Sequence, residues 1–278
     1  MTKNDLKPLP RTKLRLKLGK VYYTCLRYAL WLSRRSSFAS KRSLEALPFI
    51  HFRHETILLR QLKDVEMQYQ YNKIINLKIA AKKLNGIVIR PGEVFSYWKL
   101  IGRPSSSKGY VKGMVLTGGN VSPGVGGGLC QMSNLIYWMS LHTPLTVIER
   151  HHHGYDVFPD SNRTQPFGSG ATCYYPHGDL MVYNGTNDDF QLCIKVGGTH
   201  LEGEWRSTAP PKLCYEIVER DHEMRGEYWG GFSRHNKLFR IVKDSDGNFI
   251  REDFIVENYA LMMYPPFLSE ITVKGENI

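Results

Sequence analysis

The residues that could do chemistry are concentrated in one short stretch, Gly124-Val125-Gly126-Gly127-Gly128-Leu129-Cys130-Gln131. It combines a flexible backbone, a possible nucleophile and a predicted helix start. Consecutive glycines cost backbone entropy on folding, so they fit best where the main chain turns sharply or lies against a ligand. Apolar residues then recur at helical spacing until Thr143-Pro144 ends the pattern. We therefore predict a helix over 129–141 with Cys130 in its first turn.

A cysteine in the first turn of a helix is a candidate nucleophile. The free amides and the positive end of the helix dipole favour the thiolate, which is the reactive form of the side chain. The same amides, with those of the glycine loop, could stabilise the oxyanion that forms when a thiolate attacks an acyl carbon. Because free cysteines are often simply buried, a structural role for Cys130 beside a tight turn is the alternative.

The elements around this stretch predict an α+β fold. A long helical pattern covers 56–84 and stops at Gly86, where a C-terminal cap glycine belongs. Strands are predicted over 87–89, 94–97, 110–117, 145–153, 190–196, 212–219, 237–243 and 249–259, with a hairpin around 176–179 and another at 244–247. We therefore predict a mainly antiparallel β-sheet domain that carries the cysteine-bearing helix and follows an N-terminal helical segment.

The excess positive charge lies at the start of the chain. The net charge is +11, and residues 1–54 hold 13 Lys and Arg against 2 Asp and Glu, while the remainder holds 24 of each sign. The body therefore has no general attraction for nucleic acid. The arm could make a peripheral contact with an anionic membrane surface, or it could be solvated and partly disordered.

The compartment follows from the arm and the cysteines. The apolar stretch 21–32 is interrupted by Arg27 and closed by Arg34-Arg35, which argues against a secretion signal, and twelve residues cannot span a bilayer. The five cysteines form no CxxC pair, in keeping with a reducing compartment. We expect a cytoplasmic protein that could be held at the inner membrane face, with export as the alternative.

Four motifs in order carry a resemblance to a known family. They are Arg90-Pro91-Gly92-Glu93-Val94-Phe95-Ser96, Gly126-Gly127-Gly128-Leu129-Cys130-Gln131, Glu149-Arg150 followed by His153, and Asp179-Leu180 with Asn184. Over about 84–186 the chain resembles the VanW family. The resemblance implies a link to glycopeptide (vancomycin) resistance and peptidoglycan metabolism. It also implies acyl transfer of L,D-transpeptidase type on a peptidoglycan stem peptide or precursor, although family members of this kind are often exported.

Carried over to this sequence, the resemblance makes Cys130 the nucleophile and His153 the base. His151 is the next candidate base, and Glu149 could orient either histidine. The chain departs from the family at Gly170-Ala171-Thr172, where an Asp usually precedes the Ala-Thr pair, so the role of that carboxylate is absent or passes to another residue. The candidate substrate-binding residues are Gly126, Gly127, Gly128, Gln131, Arg150 and Asp179.

Two other readings compete with the enzyme, for which no cofactor is expected. A zinc site would use Cys130, His151, His153, Cys173 and His177, which are suitable ligand types without paired ligand spacing. A non-catalytic module would instead bind a wall precursor or peptide. The predicted organisation is a basic arm (1–54), a helical segment (55–86), a VanW-like domain (87–200) and a β-rich C-terminal extension packed on it (201–278).

Overall fold

The computed structural model describes residues 12–59, 67–117, 120–157, 165–228 and 230–264. The helices of this part are α1 (Lys13–Ser33), α2 (Met67–Leu84), α3 (Tyr97–Ile101) and α4 (Cys130–Leu141). The strands are β1 (Phe49–Ile57), β2 (Ile87–Ile89), β3 (Val94–Ser96), β4 (Lys112–Thr117), β5 (Asn120–Val125), β6 (Thr146–Glu149), β7 (Tyr155–Asp156), β8 (Met181–Tyr183), β9 (Phe190–Val196), β10 (His200–Ser207), β11 (Cys214–Gly226), β12 (Phe232–Lys243) and β13 (Phe249–Met262).

The predicted α+β class is confirmed, and the sheets are mainly antiparallel. One four-stranded sheet has the order β1-β10-β9-β2, and a second has the order β11-β12-β13-β7. A three-stranded sheet has the order β3-β8-β6, and β4 pairs with β5 as a two-stranded ribbon. The pairing of β13 with β7 is parallel. The predicted hairpin at 244–247 joins β12 to β13, and Gly247 there has a φ of +85°.

The cysteine-bearing helix lies at the centre of the hydrophobic core. Nine of the twelve residues of α4 are buried, so the helix is enclosed on nearly every side. Gly203 of β10 allows a close approach, because a Cβ there would collide with Met139 and Leu135. The indole of Trp205, also on β10, donates to Ser140 Oγ at 3.1 Å. The position of α4 is therefore fixed by tight packing against the first sheet.

The structure corrects the predicted boundaries before residue 87. The interval 49–57 is strand β1, which pairs antiparallel with β10, so the arm boundary at residue 54 falls inside a strand of the main sheet. The helical segment predicted to begin at 55 holds the end of that strand, and α2 starts only at Met67. The charges of Arg53 and Glu55 disguise the strand because they lie on its exposed side, opposite Glu204 and Glu202 of β10.

Two later boundaries also change. The division at 200/201 cuts the β9–β10 pair, since β10 belongs to the first sheet and not to an extension. The hairpin predicted around 176–179 is reduced to one bridge between Tyr174 and Gly178. Strand β8 pairs with β3 and β6 instead, and its Met181 and Val182 side chains are buried in the hydrophobic core. The strand predicted over 145–153 ends at Glu149.

The basic arm contains a helix of its own, ahead of the predicted helical segment. Helix α1 occupies 13–33 of the supposed arm, and it docks on the domain through Arg27 and Trp31, the two residues that it buries. Among the described residues, no helix is both long enough and apolar enough to span a membrane.

Candidate functional site

The glycine-rich turn delivers Cys130 to the first position of α4, as predicted. The preceding residue, Leu129, has no side-chain cap for the helix. Within the described part of the chain, the amides of Gly128 and Leu129 have no hydrogen-bond acceptor, and the amide of Cys130 contacts only its own sulfur. Unpaired amides at a helix start can bind an anion or an oxyanion. The start of α4 therefore has the donors that acyl-transfer chemistry requires.

The other glycines of the motif are used by the fold. The amide of Gly126 donates to Val111 O at 3.1 Å, and the amide of Gly127 donates to Gly124 O at 3.0 Å. Both amides are therefore occupied by the protein, and the substrate-binding role of Gly126 and Gly127 stays a prediction that would not use these donors. A Cβ on Gly127 would overlap the carbonyl of Gly113 in β4, so glycine is needed where the two backbones meet.

A buried asparagine locks this loop in place. Asn76 of α2 donates to Gly127 O at 2.9 Å and to Val111 O at 3.0 Å, and its own carbonyl accepts from the Val111 amide at 2.9 Å. Gly128 has a φ of +88°, and a Cβ there would collide with the side chain of Lys73. Helix α2 therefore sets the conformation of the turn that precedes Cys130.

The Cys130 thiol is not the activated thiolate that the sequence predicts. It donates to Cys173 O at 3.5 Å. Burial raises the pKa of this thiol, and hydrogen bonds that the sulfur receives from the backbone of Cys173 and of Cys130 itself oppose the rise only in part. The residue Cys130 as a whole keeps some exposed surface. The pKa of its thiol is set by the crowded surroundings of the sulfur atom and not by that surface. At neutral pH the resting form is therefore the thiol.

Alkylation should rank the cysteines by these surroundings. We expect iodoacetamide to label Cys25 and Cys214 first, because both are exposed. Cys130 should follow only at higher pH, because its pKa is raised. Cys173 is buried with a pKa raised well above its ordinary value, so it should react mainly after unfolding. Rates at several pH values, read by peptide mass mapping, test this order. Labelling of Cys130 near neutral pH at the rate of the exposed cysteines would contradict it.

Gln131 makes structural contacts. Its amide donates to Thr56 Oγ1 at 3.0 Å and to Ile57 O at 2.9 Å, which ties the start of α4 to the end of β1. The substrate-binding role of Gln131 stays a prediction beside these contacts. Ser133 adds a second tie, because its hydroxyl contacts Ala171 O at 2.7 Å and Cys130 O at 3.1 Å. The first turn of α4 is thus attached to β1 on one side and to 171–173 on the other.

Glu149 and His151 form the polar network nearest to that second attachment. The Thr172 amide donates to His151 O at 2.8 Å, one residue from the Cys173 carbonyl that receives the Cys130 thiol. His151 Nε2 lies 2.9 Å from Glu149 Oε1, and its Nδ1 lies 3.1 Å from the Tyr174 hydroxyl. With Nε2–H donating to Glu149, Nδ1 accepts from Tyr174. The predicted pairing of Glu149 with a histidine is therefore present, and the histidine is His151.

The same carboxylate receives a cation from α1. Arg27 is 8% exposed and donates to Glu149 Oε1, and it also donates to His177 O at 2.9 Å. Burial alone would raise the pKa of Glu149, but the hydrogen bonds from His151 and Arg27 outweigh it, so the pKa is lowered. Glu149 is thus a carboxylate at neutral pH, and it fixes the ring of His151 as a carboxylate does in a catalytic triad.

His153, the predicted base, is not joined to the nucleophile. No hydrogen bond connects it to Cys130, and burial lowers its pKa. His152 beside it packs edge-on against Phe167, and burial lowers its pKa to about 4. The backbone leaves the sheet after Glu149, so the strand alternation that grouped His151 with His153 does not apply. His151 is therefore better placed for a role beside Cys130.

Asp179 and Arg150 hold the fold together. Asp179 is fully buried and accepts from Ser96 Oγ, from the Trp98 amide at 2.9 Å and from the Leu180 amide at 2.9 Å. Burial raises the pKa of this carboxyl to about 7. Arg150 donates to Gly170 O at 2.8 Å and also contacts Gly168 O and Asn258 Oδ1. The polar atoms of Asp179 and Arg150 are therefore bonded within the protein, and their substrate-binding role stays a prediction.

The zinc alternative gains nothing from this geometry. Across the described ranges, no three His, Cys, Asp or Glu side chains are grouped as metal ligands.

Comparison with known proteins now identifies the family. Residues 72–206 match a family model described as VanW like protein. The chain is 34% identical over 222 residues to the vancomycin B-type resistance protein VanW of Enterococcus faecalis, and the match covers 80% of each chain. This chain belongs to the VanW family. It is also 32% identical over 130 residues to the uncharacterized protein YoaR of Bacillus subtilis, covering 45% of this chain and 40% of that one. No solved structure matches.

The VanW family range includes most of the site but not all of it. Cys130, Glu149 and His151 lie within 72–206, whereas Arg27 lies outside. Arg27, Tyr174 and Asn76 are not predicted from the sequence as residues of the site. The signal for Arg27 was present, since a lone cation in an apolar helical stretch often has a buried partner. Tyr174 and Asn76 gave no comparable signal, because their roles depend on contacts across the fold.

Proposed function

We propose that this VanW-family protein contributes to glycopeptide resistance through Cys130-dependent acyl transfer on a peptidoglycan stem peptide or precursor. The observation that carries the proposal is the placement of Cys130 at the start of α4, beside the unpaired amides of Gly128 and Leu129. The name of the enterococcal relative supports the link to vancomycin resistance. The transpeptidase chemistry is what the family resemblance implies, and the helix start offers donors suited to it.

The reaction has two balanced steps. In the first, Cys130 Sγ attacks the acyl carbon, an S–C bond forms, the C–N bond of the donor peptide breaks, and the thiol proton passes to the leaving amine. In the second, an acceptor amine attacks the thioester carbon, a C–N bond forms, the C–S bond breaks, and the amine proton passes to Cys130 Sγ, which leaves as the thiol. The amides at the start of α4 would stabilise the oxyanion of each step.

A base is needed because the resting thiol is protonated. His151 is our candidate, since it pairs with Thr172 next to the carbonyl that receives the thiol and is oriented by Glu149. For the first step, His151 Nδ1 must release the hydrogen bond from the Tyr174 hydroxyl and accept one from the Cys130 thiol instead. General-base assistance contributes about 10²- to 10⁴-fold to rate, which sets the scale of the defect expected when His151 is replaced.

A non-catalytic module is the second candidate. The raised pKa of Cys130 and the lack of a hydrogen bond from its sulfur to any histidine favour it. In this reading the start of α4 binds the carboxylate or carbonyl of a wall peptide without forming a bond to it.

An acyl adduct would separate the two candidates. We expect a synthetic stem peptide to add an acyl mass to Cys130 that hydroxylamine removes, as a thioester requires. The Cys25→Ser/Cys214→Ser variant serves as background, because it removes both exposed thiols and leaves Cys130 intact. Intact mass followed by peptide mapping provides the measurement. Saturable peptide binding without an adduct would favour the module, and the absence of both binding and adduct would reject both candidates.

A further inference from the structure

Helix α1 is attached to the domain along one side only. Arg27 and Trp31 are its buried residues. Besides the Arg27–Glu149 ion pair, Lys99 Nζ donates to Trp31 O at 2.9 Å, and the Tyr28 hydroxyl lies 2.6 Å from that of Tyr175. These contacts lie in the second half of the helix. The helix is therefore held in a fixed orientation with its other side facing solvent.

The solvent side carries a continuous apolar stripe. At 100° per residue, its members fall within a sector of about 60° that points away from Arg27 and Trp31. The stripe consists of Leu14, Leu18, Val21, Cys25 and Leu32. The four aliphatic side chains are 66%, 60%, 58% and 76% exposed, and Cys25 is also exposed. A docked helix normally packs its apolar stripe against the core of its own protein, whereas this stripe faces solvent.

Positive charge flanks the stripe. Lys13, Lys17 and Lys20 lie on one side of it and Arg15 on the other, and α1 contains no Asp or Glu. A basic helix with a separate apolar face binds in the plane of an anionic membrane, where its apolar side chains enter the boundary between headgroups and acyl chains. A second copy of this chain is a poor occupant, because joining two stripes would bring like charges together.

We propose that α1 is an interfacial membrane anchor whose Leu14–Leu18–Val21–Cys25–Leu32 stripe inserts into an anionic lipid surface. Insertion adds an apolar contribution to the electrostatic attraction that the charge of residues 1–54 predicts. The anchor is fixed to the candidate site, because Arg27 of the same helix pairs with Glu149, which holds His151. Membrane binding would therefore set the orientation of Cys130 relative to the lipid surface. The proposal does not depend on acyl transfer.

Co-sedimentation with vesicles tests the stripe against matched variants of the full chain. Leu14→Gln/Leu18→Gln removes two stripe residues without changing charge, and Leu16→Gln/Leu26→Gln removes two exposed leucines outside the stripe. With phosphatidylglycerol-containing vesicles we expect the first pair to weaken binding at least about tenfold and the second to change it less than about threefold. Lys13→Gln/Lys17→Gln should weaken binding at low salt and have little effect at roughly 0.5 M salt.

Insertion can be read directly at Cys25. In a Cys214→Ser background Cys25 is the exposed thiol among the described residues, so an environment-sensitive fluorophore can be attached there. We expect a blue shift with anionic vesicles and a smaller one with phosphatidylcholine alone. Equal weakening by both leucine pairs, or binding without a blue shift, would overturn the proposal. Self-association without lipid that Leu14→Gln/Leu18→Gln abolishes would show that the stripe joins two copies instead.

Discussion

Replacing Cys130 by serine is expected to abolish the resistance function while leaving the fold and peptide binding intact. A serine hydroxyl preserves the size of the side chain and can still donate to Cys173 O, the acceptor that the thiol uses at 3.5 Å. With no strong base in contact, the serine hydroxyl is a far weaker nucleophile than the cysteine thiol. For an acyl-transfer enzyme we expect a fall in turnover of about 10³-fold or more. Turnover of stem peptides and the resistance phenotype at equal protein level are the measurements.

Cys173→Ser provides the control for this substitution. Cys173 lies next to the site but its thiol is buried, so its replacement should affect stability more than turnover. If cells carrying Cys130→Ser keep full resistance at wild-type protein level, the protein acts by binding, and the catalytic hypothesis fails.

Replacing Arg27 by methionine is expected to cost roughly 3 kcal/mol of the free energy of unfolding. Arg27 is nearly buried, and its removal leaves the Glu149 carboxylate with one cationic partner fewer in a poorly solvated place. Breaking one side of a buried ion pair typically costs about 3–5 kcal/mol, and we take the lower end because Glu149 keeps the His151 and Asp179 contacts. Chemical denaturation should show the loss, and hydrogen exchange should place the greatest loosening in α1.

Two variants bracket the Arg27 result. Lys243→Met breaks the Lys243–Glu216 pair, which is largely exposed, and should cost less than about 1 kcal/mol. Arg27→Met/Glu149→Gln removes both charges, and a glutamine oxygen can still accept from His151 and Asp179. This double variant should recover part of the loss. A cost below about 1 kcal/mol for Arg27→Met would mean that the ion pair does not fasten α1.

Local patterns were enough to predict the elements whose partners are close in sequence. The α4 helix, the Gly86 cap and the 244–247 hairpin follow from spacing and turn residues, and all three are present. Strand β1 was missed because its partner β10 lies about 150 residues away. The apolar side chains of β1 look like parts of a basic arm until that pairing is known.

The candidate site was predictable in its nucleophile and only partly in the groups around it. The glycine motif indicates that a helix begins at Cys130. It does not show that Asn76 hydrogen-bonds to the backbone of the loop, or that Gly113 packs against it. The choice between His151 and His153 depends on where the strand ends. Burial by distant segments raises the pKa of Cys130. This effect is opposite to the lowering that a helix start predicts, and it is the larger of the two.

The buried carboxyl of Asp179 couples folding to uptake of a proton. Its pKa of about 7 in the folded protein exceeds the ordinary value of 3.8, so between these values the folded chain retains a proton that the unfolded chain releases. The contribution of Asp179 to the free energy of unfolding therefore falls as the pH rises from about 4 to 7. Glu149 acts in the opposite sense, since its lowered pKa gives stability that is lost only as the solution becomes strongly acidic. Together they place the greatest stability from this network in mildly acidic solution. Near neutral pH, the Asp179 carboxyl that connects the start of β8 to α3 is therefore protonated in some of the molecules and ionised in the rest.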